Sequence, residues 1–191
     1  MGPPGAGKGT HAELLAGRLG VPVISTGDIF RAQVAAGTDL GRTAQRYLDA
    51  GEYVPDEVTN AMVRERLAAD DTRSGFLLDG YPRTLDQVAV LDEIRSIDAV
   101  VVLRVEQEAL VRRLLRRAET EHRSDDTEEV IRHRLQVYSD QTVPLISLYG
   151  DRGLLREVDG NGEIDEVRER VLHVACEFTP AEESPPGPVA G

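Results

Sequence analysis

The chain has 191 residues, 40% of them hydrophobic, which is long enough for one domain with a full core. Its 34 acidic residues outnumber its 22 basic ones, and the net charge of −12 argues against nucleic acid or an anionic membrane as the main partner. A single cysteine, Cys176, excludes a disulfide framework and a multi-cysteine zinc site, while no signal peptide or apolar run of membrane-spanning length is visible. We therefore expect a protein of the reducing cytoplasm.

The stretch Gly2–Thr10 has the spacing of a phosphate-binding loop, a glycine followed after four residues by Gly7 and Lys8. Glycines let the backbone curl so that successive N–H groups point at a phosphate, and the helix that follows directs its positive dipole end at the same anion. Lys8 then reaches the outer phosphates. Most such loops place Ser or Thr where this chain has Gly9, and Thr10 can still support a magnesium-bound phosphate one residue later.

Helical and strand patterns alternate along the rest of the chain in the order typical of an α/β fold. Helices are predicted at residues 11–19, 29–36, 40–50, 56–69, 85–97, 108–117, 128–149 with a bend at Pro144, and 164–177. Strands are predicted at residues 22–25, 75–79, 99–105 and 154–158, and a polar loop at 120–126. Asp56 is predicted to cap the fourth helix, and the tail from Pro180 is too rich in proline and glutamate to bury a core.

One expected element is missing from this pattern. A phosphate loop normally hangs from the end of a buried strand, yet only Met1 precedes the loop. A sheet without that central strand is expected to have two exposed edges and an open core. Two explanations stay open at this point, a start that lies upstream or a damaged version of the fold.

Four segments together resemble adenylate kinases, in the same order and at suitable spacings: Gly2–Thr10, Ile24–Asp28, Leu78–Arg83 and Arg123–Asp126. The resemblance covers roughly residues 2–177. It implies transfer of the terminal phosphoryl group of ATP to AMP, giving two ADP, in nucleotide biosynthesis. The fold it implies is a P-loop three-layer α/β fold with a parallel five-stranded sheet, of which this chain lacks the first strand.

The same resemblance implies a domain organisation. The kinase domain would span residues 1–179, with a helical AMP-binding insert at about 25–54 and a short lid at about 118–126. A lid of this length leaves no room for a zinc knot, and residues 180–191 would form a disordered tail. The implied partners are ATP, AMP and ADP, with neither nucleic acid nor membrane, for a monomeric cytoplasmic enzyme.

Phosphoryl transfer needs positioning and positive charge more than it needs a nucleophilic side chain. By resemblance, the catalytic cations are Lys8, Arg83, Arg117, Arg123 and Arg134. The implied ATP-binding residues are Gly5, Ala6, Gly7, Lys8, Gly9, Thr10, Arg113, Arg117 and Gly162. The implied AMP-binding residues are Thr26, Arg31, Glu52, Tyr53, Val54, Gly80, Tyr81, Pro82, Arg83, Gln87, Arg123 and Arg134.

The predictions of the metal and of the acceptor base each depend on a few residues. Asp79 ends a hydrophobic strand, where open α/β sheets bind ligands, and would hold Mg²⁺ through water, with Thr10 as a second contact; a helix-capping role is the alternative. Thr26 and Gln87 favour AMP, because pyrimidine-nucleotide kinases tend to carry alanine at the first position and an amide can pair with an adenine edge. A UMP/CMP kinase and a catalytically impaired nucleotide-binding module remain alternatives.

Overall fold

A computed structural model of the chain describes residues 1–121 and 127–177, without the side chains of residues 117–121. Helices alternate with short strands along the described residues, as predicted for an α/β fold. The helices are α1 (Lys8–Leu19), α2 (Thr26–Ala35), α3 (Asp39–Ala50), α4 (Asp56–Leu67), α5 (Leu85–Ile94), α6 (Gln107–Glu121), α7 (Glu128–Val137), α8 (Val143–Asp151) and α9 (Ile164–Ala175). The strands are β1 (Val23–Ser25), β2 (Leu77–Asp79), β3 (Val100–Arg104) and β4 (Leu155–Asp159).

The strands of the described residues form two separate parallel pairs. Strand β1 pairs with β2, with Ser25 opposite Asp79, and β3 pairs with β4, with Arg104 opposite Asp159. The sheet is therefore divided between β2 and β3, which is the open arrangement expected for a sheet without its central strand. Within each pair the two carboxyl ends lie side by side, and such strand ends are where open α/β sheets bind their ligands.

Met1 pairs with the edge of β3 that faces away from β4. Its terminal nitrogen donates a hydrogen bond to the carbonyl oxygen of Val101, and the Leu103 N–H donates to the Met1 oxygen at 3.0 Å. Bonds to two residues that flank Val102 are the pattern of a parallel pair. Met1 thus lies opposite Val102 and delivers the phosphate loop to the ligand edge of the sheet.

Three predicted boundaries are wrong in ways that have local causes. Helix α6 runs on to Glu121, past the predicted end at 117, because the Ala-Glu-Thr-Glu sequence after Arg117 contains good helix formers. The predicted helix at 128–149 is interrupted by a π-helical turn at Tyr138–Thr142. Pro144 does not bend a continuous helix but lies in the first turn of α8, where its missing N–H costs nothing.

The hydrophobic core consists of clusters that lie on both sides of the divided sheet. One joins β3 and β4 to α6 and α9 around Leu103 and Val171, and another joins β3 to α5 and α8 around Val102 and Tyr149. A third cluster packs β1 against α4 and α5, and a fourth fills the helical insert around Phe30. The divided sheet is therefore packed by helices on each side.

Candidate active site

The phosphate loop begins α1 with a backbone suited to an anion. Gly7 is the residue before the helix and has φ +86°, so the first-turn N–H groups face outward without a capping side chain. At Gly5, with φ +82°, a Cβ atom would lie 2.8 Å from the Leu114 side chain, because the loop packs on α6. The Lys8 ammonium donates to the Pro3 carbonyl at 2.9 Å, which folds this side chain back over the loop.

Asp79 joins the phosphate loop to the end of β2. Its Oδ2 atom lies 3.7 Å from the position that a Cβ atom would take on Gly9. A carboxylate at this place stands at the positive end of the α1 dipole, next to the first turn that contains Lys8 and Thr10. A Cβ atom at position 9 would make only ordinary van der Waals contact with this carboxylate, so the glycine, unusual for this type of loop, is not required by the approach of Asp79.

The Arg83 side chain makes two contacts at the end of β2, one with Gly80 and one with Tyr53. The Arg83 Nε–H donates to the Gly80 carbonyl at 2.7 Å, and the guanidinium carbon lies 4.8 Å from the centre of the Tyr53 ring. The Thr26 hydroxyl donates to the same Gly80 oxygen at 2.9 Å. Gly80 has φ +77°, and a Cβ atom here would come within 2.7 Å of the Arg83 guanidinium, so only glycine fits.

The Gln87 side chain holds the backbone of Arg83 in place. Its side chain is buried, its Oε1 atom accepts from the Arg83 backbone N–H at 2.7 Å, and its Nε2 atom donates to Asp56 at 2.6 Å. Thr84 donates to the other Asp56 oxygen at 2.6 Å. The predicted helix cap is therefore wrong for Asp56, which lies inside the first turn of α4 after Pro55 and accepts from α5 and its cap instead.

The segment between α3 and α4 is docked against the opposite side of the site. Glu52 lies 2.5 Å from the His133 ring nitrogen of α7, and the Tyr53 hydroxyl is hydrogen-bonded to Thr142 at 2.9 Å. Thr142 in turn donates to the Arg83 carbonyl at 2.9 Å, while Val54 is buried. Of the predicted acceptor residues in this segment, Tyr53 is thus brought to Arg83.

Two further predicted cations, Arg31 and Arg134, lie on α2 and α7. Arg31 on α2 is ion-paired with Asp28 one turn earlier, and its guanidinium lies over Gly27. Arg134 on α7 packs its stem against Gly51, where a Cβ atom would lie 2.9 Å from its Cγ atom. Arg31 thus lies within the predicted insert, and Arg134 lies on a helix that packs against its end at Gly51.

The remaining predicted cations belong to the ATP side. Arg113 on α6 donates to the Gly160 and Gly162 carbonyls at 3.1 and 3.3 Å, which fixes the loop after β4. Arg117 lies on the same helix with a side chain outside the described ones, and Arg123 lies outside the described residues.

Burial shifts the pKa of three groups near the site. Burial lowers the pKa of the Met1 ammonium to about 5, and the positive charge of Lys8 lowers it further. Burial and the charge of Arg113 lower the pKa of His11. Burial raises the pKa of the Tyr81 hydroxyl to about 12; this hydroxyl donates to Asn60 at 2.7 Å, so Tyr81 supports the Gly80–Arg83 segment as a buried residue.

The family model "Adenylate kinase" matches residues 1–154. The chain belongs to the adenylate kinase family. It therefore performs the reaction of adenylate kinases, the transfer of a phosphoryl group from ATP to AMP. Neither the UMP/CMP kinase nor the impaired nucleotide-binding module is favoured.

Curated relatives agree with this assignment over nearly the whole chain. An adenylate kinase of Thermobifida fusca is 56% identical over 177 residues, which are 90% of this chain and 94% of the relative. Adenylate kinases of Kocuria rhizophila and of a Nocardioides species are 57% and 58% identical over 177 residues, 90% of this chain and 94% and 93% of theirs. No helix of the described residues is long and apolar enough to cross a membrane.

Sequence reasoning missed the residues that orient the site from a distance. Asp56, Thr142 and His133 contact the predicted residues Gln87, Tyr53 and Glu52, yet none of the three belongs to a motif. Their partners lie 31, 89 and 81 positions away in the chain. Only the fold brings these pairs together, so no local signal could have found them.

Proposed function

We propose that the corner formed by the phosphate loop, the end of β2 and the insert holds ATP and AMP end to end for phosphoryl transfer. One observation supports this most directly. Asp79 lies against the start of α1, and Arg83 is the fourth residue after it. A donor-phosphate loop and an acceptor-phosphate arginine therefore share one strand end, which is the proximity that an in-line transfer requires.

The ATP side uses backbone N–H groups and a lysine. The amides of Gly5–Thr10 receive the phosphates, Lys8 leaves the Pro3 carbonyl for the outer phosphate oxygens, and Arg113 and Gly162 fix the loop after β4 beside the nucleotide. Lys8 is the only lysine of the chain, so this single ammonium carries that role. Arg117 and Arg123 are proposed to meet the transferring phosphoryl group from the lid side.

The AMP side uses guanidinium groups and a buried support. Arg83 and Arg31 bind the acceptor phosphate, for which a planar fork is suited, and Arg134 contacts the transferring group. Thr26, Gln87, Gly80–Pro82 and Glu52–Val54 shape the base pocket. Both atoms of the Gln87 amide are bonded to Asp56 and Arg83 in this structure, so reading the adenine edge requires an exchange of one of these bonds.

Magnesium fits the carboxylate at the loop. Asp79 would hold the ion through water, with Thr10 next to the phosphates, because Mg²⁺ keeps part of its water shell and takes other ligands from phosphate. The ion would neutralise charge on the ATP phosphates. Among the described residues, no group of three or more His, Cys, Asp or Glu side chains could hold a metal by itself.

The proposed organisation is a kinase domain at 1–179, with the insert at 25–54, the lid at 118–126 and a tail at 180–191. We further propose a cytoplasmic monomer. Because Arg83 and Tyr53 already touch through the ring contact, the insert reaches the acceptor site without a second subunit.

Initial rates with Mg-ATP and each of AMP, CMP, UMP and GMP test the proposal. We expect kcat/KM for AMP to exceed that for the other three by roughly a hundredfold or more, since Thr26 and Gln87 are proposed to select the adenine base through polar contacts. A higher value for CMP or UMP would assign the site to a pyrimidine nucleotide. Binding of ATP without turnover of any acceptor would indicate an impaired nucleotide-binding module.

A further inference from the structure

Among the described residues, four threonines are buried, and they fall into two pairs by the reach of their hydrogen bonds. Thr59 and Thr72 donate to carbonyl oxygens three to five residues earlier, which is the usual local bond of a threonine. Thr26 and Thr142 instead reach the Gly80–Arg83 segment, 54 and 59 positions away. The two long-range bonds end on the first and last carbonyls of that segment, so a buried hydroxyl holds each end of it.

Thr142 connects three separate parts of the chain. It is 4% exposed and lies at the end of the π-helical turn, where no sequence motif marks it. Its Oγ1 atom lies 2.9 Å from the Arg83 carbonyl oxygen and 2.9 Å from the Tyr53 hydroxyl. Tyr53 belongs to the segment between α3 and α4, and Arg83 follows β2, so one hydroxyl joins the insert to the acceptor arginine.

The chemistry of the three groups fixes the direction of these bonds. A carbonyl oxygen can only accept, so Thr142 donates its single hydroxyl proton to Arg83. The bond between Thr142 and Tyr53 must then be donated by the phenol, with the Thr142 oxygen as its acceptor. The result is a directed chain from the Tyr53 hydroxyl through the Thr142 hydroxyl to the Arg83 carbonyl, in which each bond polarises the next.

A second contact closes this chain into a ring. The centre of the Tyr53 ring lies 4.8 Å from the Arg83 guanidinium carbon, so one side chain touches the charged end of the arginine and, through Thr142, its backbone. The Arg83 backbone N–H is held by Gln87 and its Nε–H by Gly80. Thr142 completes the support of this arginine by holding its carbonyl.

Thr142 closes the π-helical turn that separates α7 from α8. The characteristic bond of that turn runs from the Val143 N–H to the carbonyl five residues earlier. Val137 and Thr142, also five residues apart, are both buried, whereas Ser139 and Val143 are exposed. Turns of this kind are frequent at functional sites, and this one directs its buried hydroxyl at the Arg83 backbone.

We propose that Thr142 is a positioning residue for the acceptor nucleotide, which links the docking of the insert to the orientation of Arg83. The inference rests on the proposed role of Arg83 as a ligand of the acceptor phosphate. When the Tyr53 hydroxyl bonds Thr142, the Tyr53 ring lies on the guanidinium, and the arginine is held in place before AMP binds. Preorganisation of this kind lowers the cost of ordering a side chain on binding.

A double-mutant cycle in the full chain tests this link. Thr142→Val removes the hydroxyl with little change of shape, Tyr53→Phe removes the donor at the other end, and a third variant carries both changes. Thr142→Ser retains the hydroxyl, and Ser139→Ala, at an exposed position of the same π-helical turn, is the matched control. The readouts are KM for AMP, KM for ATP, kcat and Tm.

We expect Thr142→Val to raise KM for AMP about tenfold and Tyr53→Phe about threefold, while KM for ATP stays within about twofold. The double variant should match Thr142→Val, because that change alone already breaks both bonds of the chain. Thr142→Ser and Ser139→Ala should keep KM for AMP near that of the unmodified chain. A hydroxyl that only satisfied the Arg83 carbonyl would instead affect Tm alone.

An unchanged KM for AMP in Thr142→Val overturns the proposal, even if Tm falls. So does a double variant whose KM rises by the product of the two single effects, because independent contacts combine in that way. If Thr142→Val does not fold, Tyr53→Phe decides, and an unchanged KM for AMP in that variant overturns the link.

Failure of the proposed function has a different signature. It would appear as an unmodified chain that prefers another acceptor or turns over none. The affinity for AMP, measured by calorimetry, then replaces KM in the same comparison of variants. An unmodified chain that neither turns over nor binds AMP would overturn both proposals.

Discussion

Among the described residues, buried polar groups have hydrogen-bond partners at the acceptor corner around Arg83, but two lack them in the cleft between the two strand pairs. At the corner, Asp56, Thr84, Gln87 and Arg83 form a connected polar network, and each side chain finds a partner. In the cleft, which lies on the other side of β2, buried polar atoms and an ammonium lack such a network. A connected network stabilises a unique geometry, whereas an incomplete one costs stability.

This difference has a structural origin. The corner is built from helix starts and a strand end, whose donors and acceptors come from segments that the chain contains. The cleft is built from two sheet edges, and a sheet edge is satisfied only by another strand.

The largest effect is expected at the loop. Lys8→Met keeps the length of the side chain and removes the only lysine charge. We expect transition-state stabilisation to fall by about 3–4 kcal/mol, which lowers kcat/KM by a factor of about several hundred. Tm should stay nearly unchanged. Arg18→Met, which removes an exposed charge from the last turn of the same helix, is the matched control. Turnover of Lys8→Met close to that of the control would contradict the loop assignment.

The cleft should make stability depend on pH. The Met1 amine has a pKa near 8 when exposed and about 5 in the fold, so the unfolded chain binds more protons between these values. The free energy of unfolding should therefore rise between pH 5 and pH 8 by roughly 2–4 kcal/mol from this group, and be lost as pH falls. Acetylation of the amine removes the charge.

The comparison of acetylated and free chains isolates that group, because His11 titrates in both. Denaturant unfolding at a series of pH values provides the measurement. We expect the acetylated chain to lose most of this pH dependence. An identical slope in the two forms would show that the Met1 ammonium is not buried in solution.

Breaking the corner should cost somewhat less. Asp56→Ala leaves the Gln87 amide and the Thr84 hydroxyl without their acceptor, so we expect unfolding free energy to fall by about 2–3 kcal/mol and KM for AMP to rise. Glu57→Ala changes the exposed neighbour on the same turn and should do neither. Denaturant unfolding and initial rates at varied AMP concentration measure the two effects. If Asp56→Ala changes neither the unfolding free energy nor KM for AMP, the network does not support the acceptor site.

The smallest effect is expected from Thr26. Thr26→Ala removes the bond to Gly80 and should reduce the preference for AMP over CMP by about fivefold, which corresponds to ~1 kcal/mol. Thr26→Ser retains the hydroxyl and should retain the preference. The ratio of kcat/KM for the two acceptors is the quantity to measure, and an unchanged ratio in Thr26→Ala would remove Thr26 from base selection.

Particular residues show how far the sequence alone could lead. Lys8 and Arg83 follow from motifs, because backbone curvature and strand ends are encoded within a few neighbouring residues. The division of the sheet follows from the missing strand, since edges need partners. The bonds of Gln87 to Asp56 and of Glu52 to His133 do not follow, because each joins segments far apart in the chain. The π-helical turn before Pro144 also has no signal in hydrophobic periodicity.

Residue-resolved hydrogen exchange of the chain tests the contrast between corner and cleft most directly. Arg83 lies outside any regular element, and its amide donates to the buried Gln87 side chain, whereas Leu78 lies in the middle of β2 with its amide toward the cleft. We predict that the Arg83 amide exchanges at least about tenfold more slowly than the Leu78 amide. Slower exchange at Leu78 than at Arg83 would contradict the account, because it would place the completed network in the sheet and the incomplete one at the acceptor corner.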